Sequence, residues 1–393
     1  MSEWTRLLSL VPEPPDWKID WKAFQASGLG GFFAKMARTG QNPQWHGEGD
    51  VWTHTQMVCE TLAAMSSFRT LPGRQRQEVF LAALLHDLGK IPCTKPEDGR
   101  LVSPNHTSVG ARMARELLHT AYGVGGTQEA LEFRETICNL IRYHSVPTHI
   151  LDQTDPEKRL LKIAANGELA EDFTIELLCI LVEADVRGRI YENIQESVEL
   201  VHLCAGLAEE QGCRNAPFSF ASPYAEYAFL SGRKIRPWQE LYDDTWGEVI
   251  LMSGLPGTGK DTWIRECLCD MPMVSLDEIR KERGISPRDP QGPVAAAARE
   301  KAKEYLRRRE PFVWNATNIT PALREKQVRL FQNYHASVRI VYLETRWEEQ
   351  LRRNQNRPET VPEEAVSRMM KNLVLPERYE AETVQWLCEC PET

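Results

Sequence analysis

GLPGTGKDT, at residues 254–262, follows the apolar run VILM at residues 249–252 and precedes the amphipathic stretch WIRECL at residues 263–268. The apolar run predicts a buried strand and the amphipathic stretch a helix, with the glycines forming the turn between them. Glycines let successive backbone N–H groups surround a phosphate, and the helix N-terminus adds partial positive charge. The match to G-x-x-x-x-G-K-[ST] holds through Lys260, a residue that a plain glycine turn would not require. We therefore predict a phosphate-binding loop that takes ATP.

Asp261 departs from this motif, because a hydroxyl that meets Mg²⁺ normally occupies its position and Thr262 comes one residue later. A carboxylate among three phosphates is unfavourable unless a cation intervenes. We expect Asp261 to face Mg²⁺, directly or through a water molecule, and the alternative is that it caps its own helix. The residues predicted to bind the nucleotide are Gly254, Gly257, Thr258, Gly259, Lys260, Asp261 and Thr262.

The composition indicates a soluble globular protein of two or three domains. The chain has 393 residues, of which 26% are charged and 42% hydrophobic. Its net charge of −9 lies entirely before Trp246, since basic and acidic residues balance after it, and this argues against a protein wrapped in nucleic acid. The ten cysteines are scattered and include no C-x-x-C pair. The sequence also shows neither a signal-peptide pattern nor a long apolar run. These observations predict a cytoplasmic protein that does not enter the membrane.

Hydrophobic periodicity divides the chain into three parts. Residues 1–212 form the first part, and apolar residues at three- and four-residue steps over 50–212 predict an all-helical domain without strands. Residues 213–245, rich in proline and aromatic side chains, are expected to pack between domains. In residues 246–393, strands at 248–253, 272–275, 311–315 and 338–343 alternate with helical stretches. The predicted fold is multidomain: an all-α domain followed by an α/β domain with a parallel sheet.

A histidine and an aspartate stand side by side at the end of an apolar helix, at His86 and Asp87. Such a buried pair is costly unless something charged holds it, and a divalent metal does so. His54, His106, His144 and Asp185 lie in the other predicted helices of this domain. With imidazole and carboxylate ligands and no thiolate, Mn, Co, Ni or Fe should serve as well as Zn.

The order His54, His86-Asp87, Asp185 resembles that of the HD-domain phosphohydrolases. The resemblance implies that these four residues bind a first metal and that His106 and His144 belong to a second. His46 could be a ligand, a substrate contact or an ordinary loop histidine. Basic residues follow two of these ligands and could neutralise a phosphate or be plain surface charges: Lys90, Arg187 and Arg189. The implied chemistry is metal-assisted hydrolysis of phosphate esters.

A second set of polar residues follows the predicted strands of the C-terminal part. Asp277 comes after the second strand, expected next to the strand of the phosphate-binding loop, and could accept a proton from an attacking hydroxyl or cap a helix. Arg280 could hold an acceptor phosphate. Arg353 and Arg357, four residues apart, are expected on one helix face as a lid over ATP, or as a solvated basic face.

These residues resemble the 5′-hydroxyl polynucleotide kinase family, which implies that Asp277 is the general base and Arg280 an acceptor-phosphate contact. It also implies that Thr317 and Asn318 lie near the acceptor end. The order of the two parts resembles the bifunctional bacterial end-healing enzymes called HD-Pnk. The resemblance implies phosphorylation of 5′-OH ends of RNA or DNA and hydrolysis of 2′,3′-cyclic phosphate and of 2′- or 3′-phosphate ends.

No ligase signature appears, so sealing would need a partner ligase in trans. Two alternatives remain open. The chain could join a nucleotide phosphohydrolase to a small-metabolite kinase, or it could be an ATP sensor that regulates an HD domain. Asp277 and the arginines count against the sensor, because sensing needs no base.

Overall fold

The computed structural model describes residues 2–286, 289–357 and 359–388. The chain divides into two compact units. The first consists of Met1–Val124 and Glu129–Phe218, and the second of Gly125–Gln128 and Ser219–Thr393. The division at Phe218 falls within the proline- and aromatic-rich segment 213–245.

The first unit is built of helices and one short hairpin. The helices are α1 (Glu3–Leu8), α2 (Trp21–Gln25), α3 (Gly30–Met36), α4 (Val51–Ala64), α5 (Ser66–Arg69), α6 (Gly73–Leu85), α7 (Lys90–Cys93), α8 (His106–Glu116), α9 (Gln128–Tyr143), α10 (Pro156–Ala164), α11 (Ile175–Arg187) and α12 (Ile194–Glu210). A π-helical turn spans Leu117–Ala121, and 3₁₀ turns span Pro147–Asp152 and Ala165–Glu168.

The centre of this unit is α11, which is buried along most of its length and packs against α4, α6 and α12. Thr174 caps its N-terminus by accepting the Leu177 N–H at 3.1 Å. Asp50 caps α4 in the same way, accepting the Trp52 and Thr53 N–H groups at 2.9 Å each. His54 lies on α4, Asp185 on α11, and His86 is the C-cap of α6, so the packing of these three helices brings distant parts of the sequence together.

The expectation of an unbroken helical domain is wrong at one place. Residues Lys95–Glu97 (β1) and Arg100–Val102 (β2) pair as an antiparallel hairpin. Asp98 and Gly99 form its turn with φ of 50° and 76°, the left-handed conformation that short hairpin turns require. The Asp-Gly pair was a visible hairpin signal, but the strands beside it are too short to show a period of two.

The second unit is an α/β domain. Its strands are β3 (Glu248–Ser253), β4 (Met273–Ser275), β5 (Phe312–Asn315), β6 (Ser337–Glu344) and β7 (Thr383–Cys388). Its helices are α13 (Pro223–Leu230), α14 (Lys260–Cys267), α15 (Leu276–Glu282), α16 (Gly292–Arg308), α17 (Pro321–Gln332), α18 (Trp347–Gln355) and α19 (Glu363–Asn372), with a 3₁₀ turn at Arg378–Glu380.

All neighbouring strands of the sheet run parallel, in the order β4-β5-β3-β6-β7. The parallel sheet and its four predicted strands are confirmed. The expectation that β4 lies next to β3 is wrong, because β5 is inserted between them. Strand β7 was not predicted: it pairs with β6 alone, and its alternating half-buried pattern differs from the continuous apolar runs of the central strands. Among the described residues, none of the helices is long and apolar enough to span a bilayer.

Candidate metal centre and nucleotide-binding site

Four buried ligand atoms converge in the first unit. His54 Nε2 lies 3.0 Å from Asp185 Oδ1 and 3.4 Å from His86 Nε2. His86 Nε2 lies 3.3 Å from Asp87 Oδ2. Ligands held about 2.0–2.2 Å from one metal ion are separated by distances of this size. The structure therefore brings together the four residues predicted to bind the first metal.

His106 and His144 adjoin the first set of ligands. Asp87, His106 and His144 offer ligand atoms that all lie within 4.8 Å of one another, and His86, His144 and Asp185 form an overlapping group. Asp87 is thus shared between the first set of ligands and the two additional histidines. Asp87, His106 and His144 could therefore supply ligands to a second ion.

The histidines of the cluster are oriented by a bond at the opposite ring nitrogen. Nδ1 of His86 lies 2.7 Å from the Ala83 carbonyl oxygen, Nδ1 of His144 2.7 Å from that of Ile141, and Nδ1 of His106 2.9 Å from that of Ser103. A carbonyl oxygen can only accept, so each Nδ1 carries a proton, and each of these rings in its neutral form presents an unprotonated Nε2 to the cluster. That tautomer is the one that binds a metal.

The Asp87 carboxylate provides a test of whether a metal fits. Its Oδ1 is buried, and no hydrogen-bond donor reaches it among the described residues. His106 Nε2 lies 3.7 Å from this oxygen, beyond hydrogen-bond distance. A buried carboxylate oxygen without a donor is costly, and a divalent ion would remove that cost. The donor set and this oxygen therefore fit a metal.

Neighbouring charges favour the ionised carboxylates. Burial would raise the pKa of Asp185, but Arg189 and His54 hold it well below its usual range. Burial would likewise raise the pKa of Asp87, yet His86 and Lys90 keep it low. Burial lowers the pKa of His144 to about 3, so this ring is neutral at physiological pH. Ionised carboxylates and neutral imidazoles are the protonation states that metal binding needs.

The basic residues near the cluster have different positions. Lys90 is buried, with Nζ 2.8 Å from Asp87 Oδ2 and 2.6 Å from Gln41 Oε1. Arg189 forms a two-pronged ion pair with Asp185. Arg187 is turned to Glu183 instead, at 2.7 Å, and remains half-exposed. Lys90 and Arg189 therefore lie beside the predicted metal ligands, where they could neutralise a phosphate. Arg187 does not contact these ligands.

Glu48 was missed in the sequence. Its Oε1 lies 3.0 Å from His54 Nδ1 and 2.8 Å from His46 Nδ1, and its Oε2 accepts the Ile190 N–H at 3.0 Å. Burial opposes its ionisation, but the bonds from His46 and His54 hold the pKa of Glu48 well below its usual range. Burial also lowers the pKa of His46 to about 4. The stretch HGEGD at residues 46–50 was the available signal, yet only the fold shows which histidine the glutamate orients.

In the second unit, the loop after β3 contains glycines with left-handed backbone conformation. Gly259 is the N-cap of α14, with φ of 92°. Gly257 has φ of 85°, and a Cβ there would lie 2.5 Å from the Gln350 carbonyl oxygen of α18. Only glycine can adopt this conformation in this space. The Lys260 ammonium is held by the Gly254 and Leu255 carbonyl oxygens at 2.9 and 2.8 Å, and burial lowers the pKa of Lys260 to about 8.

The residues after Lys260 are placed as follows. Asp261 Oδ1 accepts the Asn315 amide of β5 at 2.7 Å, so Asp261 does not cap its own helix. Thr262 Oγ1 accepts from Arg265 at 3.2 Å. Thr258 is buried and donates to the Leu255 carbonyl oxygen at 3.0 Å. The prediction that Asp261 faces Mg²⁺ remains a prediction.

Asp277 lies in the first turn of α15 between two arginines. Arg280 Nη1 lies 2.5 Å from its Oδ1 and Arg357 Nη2 lies 3.4 Å from its Oδ2. Ser275, not Asp277, is the N-cap of α15. Asp261, Asp277 and Arg357 line one cavity of about 610 Å³. A carboxylate and a guanidinium group therefore face a space large enough for a substrate end.

The two lid arginines are not on one helix face. Arg353 lies on α18 and pairs with Glu349 at 2.5 Å, whereas α18 ends at Gln355 and Arg357 lies beyond it. The proline that follows Arg357 in the sequence disfavours helical conformation at Arg357. The expectation of one face is therefore wrong, and Arg357 is instead turned to Asp277.

Thr317 and Asn318 follow β5 and form hydrogen bonds with the backbone at the end of β3. The Thr317 carbonyl oxygen accepts the Gly254 N–H at 2.9 Å. The buried Asn318 side chain donates to the Met252 carbonyl oxygen at 2.7 Å. These bonds tie the end of β5 to β3 and fix the base of the phosphate-binding loop.

Comparison with known proteins agrees with this geometry. Residues 51–179 match the family described as HD domain, and residues 249–376 match the family described as AAA domain. A curated relative, the "Multifunctional CCA protein" of Hahella chejuensis, is 29% identical over 150 residues, which is 38% of this chain. The chain spans 31% of the length of that relative. The chain thus carries an HD domain, whose histidines and aspartates can hold a divalent metal, followed by a P-loop kinase-like domain.

Proposed function

We propose that the protein heals nucleic-acid ends. Its kinase domain transfers the γ-phosphate of ATP to a 5′-OH end, and its HD domain hydrolyses 2′,3′-cyclic phosphate and 2′- or 3′-phosphate ends. The observation that carries the proposal is Asp277, held between Arg280 and Arg357 at the wall of the cavity beside the phosphate-binding loop. A base in a cavity open to an acceptor favours transfer over nucleotide sensing.

In the kinase domain, Asp277 accepts the proton of the attacking hydroxyl. Arg280 keeps the carboxylate oriented and, like Arg357, is placed to meet negative charge on the acceptor strand or the transferring group. Lys260 neutralises the outer phosphates of ATP as they displace its two carbonyl contacts. Arg353, which pairs with Glu349, belongs to the lid that closes over ATP.

In the HD domain, His54, His86, Asp87 and Asp185 would hold the first divalent ion, with His106 and His144 available for a second. When bound, a divalent ion would act as a Lewis acid, polarising a phosphoryl oxygen and lowering the pKa of a bound water molecule. Lys90 and Arg189 lie against the metal-binding carboxylates and neutralise charge there. A nucleic-acid ligase acting separately would join the healed ends.

The test is an assay of the purified protein with ATP, divalent metals and an RNA that carries 5′-OH and 2′,3′-cyclic phosphate ends. We expect label from γ-labelled ATP on the 5′ end of the oligonucleotide and loss of the cyclic phosphate. Transfer to mononucleosides alone would favour the small-metabolite kinase. ATP binding without phosphate transfer to oligonucleotides or mononucleosides would contradict both the polynucleotide kinase and the small-metabolite kinase hypotheses.

A further inference from the structure

Two loops beside the metal-ligand cluster are fastened to each other. The Gly47 N–H donates to the Ile190 carbonyl oxygen at 2.8 Å, and the Ile190 N–H donates to Glu48 Oε2 at 3.0 Å. A Cβ on Gly47 would lie 2.8 Å from that carbonyl oxygen, so the approach depends on glycine. We call residues 45–48 and 189–191 the rim. The two bonds make the rim one constrained structure.

The rim presents apolar side chains to solvent. Trp45 is 46% exposed and Ile190 54% exposed. The ring of Tyr191 meets that of Trp45 edge to face, with centroids 6.0 Å apart. Single exposed apolar residues are ordinary, but tryptophan is usually well buried. Two exposed apolar side chains beside a partly buried tyrosine, all on one constrained rim, are therefore a candidate binding surface.

Each loop of the rim also reaches into the cluster. His46, next to Trp45, has its ring centroid 4.8 Å from that of the ligand His54. Arg189, next to Ile190, forms the ion pair with the ligand Asp185. Consecutive Cα atoms are about 3.8 Å apart, so Trp45 and Ile190 each lie one residue away from a side chain that contacts a predicted ligand.

We propose that Trp45, Tyr191 and Ile190 bind the base of the terminal nucleotide while its phosphate is held at the cluster. The proposal rests on the proposed phosphoesterase function and adds to it a recognition of the nucleobase. Every nucleobase offers a flat π-face that stacks on aromatic side chains, whereas a sugar phosphate alone does not. The charged contacts of the cluster would hold the phosphate, and the rim would select ends that carry a base.

The test compares two oligonucleotides with the same 3′-phosphate, one ending in a normal nucleotide and one in an abasic residue. We expect the metal-loaded wild-type protein to prefer the normal end in kcat/KM by about tenfold, within the range of one stacking contact. Trp45→Ala and Tyr191→Ala should each reduce this ratio towards one, mainly through KM. Trp45→Phe, which keeps an aromatic face, should retain most of it. The affinity for a nucleoside 3′-monophosphate, measured by calorimetry, should be highest for the wild-type protein, slightly lower for Trp45→Phe and lowest for Trp45→Ala and Tyr191→Ala.

Trp238→Ala is the matched control, because Trp238 is a 65% exposed tryptophan of the second unit and the ratio should not change. A Trp45→Ala/Tyr191→Ala protein that hydrolyses both ends with the wild-type ratio would overturn the rim proposal alone. Failure of the wild-type protein to hydrolyse either end would overturn the proposed phosphoesterase function, and the rim proposal with it.

Discussion

At the scale of single residues, Glu48 connects parts of the HD domain that are far apart in the sequence. One oxygen faces His54 on α4 and the other accepts the backbone of Ile190 after α11. A carboxylate behind a metal-binding histidine fixes the ring and makes its free nitrogen a better ligand. Glu48 is therefore a positioning residue of the metal centre.

Glu48→Ala should weaken metal binding by about 10- to 100-fold, because His54 loses its orienting acceptor. Glu48→Gln keeps an acceptor oxygen, so its metal affinity should fall less than that of Glu48→Ala. The measurement is competition with a chelator, followed by metal analysis of the protein. Glu183→Ala, which removes a carboxylate paired with Arg187, is the matched control. Equal metal affinity in the Glu48→Ala and wild-type proteins would refute the assignment.

Asp261 is the second residue whose role can be tested singly. Its Oδ1 is occupied by the Asn315 amide, which leaves Oδ2 for a cation. We expect Asp261→Asn to raise the Mg²⁺ concentration that half-saturates the kinase several-fold, with a smaller change in ATP affinity. Asp261→Ser restores the usual ligand of the motif and should keep most activity. An unchanged Mg²⁺ dependence in Asp261→Asn would mean that the carboxylate serves only to bind Asn315.

At the scale of elements, the phosphate-binding loop and α18 depend on each other. Gly257 lies directly against the α18 backbone at Gln350, whose own side chain is buried. The predicted phosphate-binding loop thus approaches the backbone of the helix that carries Arg353 more closely than a side chain would allow. A side chain on the loop would have to move the helix.

Gly257→Ala should therefore lower ATP affinity at least tenfold, because the new Cβ would lie 2.5 Å from a backbone oxygen. Gly284→Ala is the matched control: Gly284 also has positive φ, at 64°, but a Cβ there has nothing within 4 Å. Both variants should lose about 1–2 kcal/mol of stability from the left-handed backbone. Calorimetry with ATP separates the two effects, and similar ATP affinities in both variants would contradict the dependence on α18.

At the scale of the whole molecule, the metal-ligand cluster and the phosphate-binding loop belong to different compact units. The residues predicted for each site lie within one unit, together with their orienting bonds. The two activities should therefore be separable by mutation.

Lys260→Ala should abolish 5′-phosphorylation and leave 3′-end hydrolysis near normal, whereas Asp87→Ala should release the metal and stop hydrolysis while sparing the kinase. Both activities and the metal content are measured on each protein. Loss of both activities in one folded variant would contradict the interpretation that the two activities have separate sites. A full metal complement in Asp87→Ala would exclude this residue as a ligand.

Local patterns in the sequence determined much of this protein. Continuous apolar runs predicted the central strands of the sheet, since both faces of a parallel sheet are buried. The glycine loop with Lys260 predicted the phosphate-binding turn, and the adjacent His86 and Asp87 predicted a charged partner in the helical core. Each of these signals depends on neighbouring residues, so no knowledge of the tertiary structure was needed to recognise it.

Other features were decided only by the tertiary structure. Glu48 orients His54 through a loop that α11 holds in place, and Arg357 meets Asp277 because α18 ends at Gln355. The insertion of β5 between β3 and β4 likewise has no signal in any one strand. The reason is physical: these contacts join residues far apart in the chain, and their partners are chosen by packing and hydrogen bonding after the helices and strands have formed.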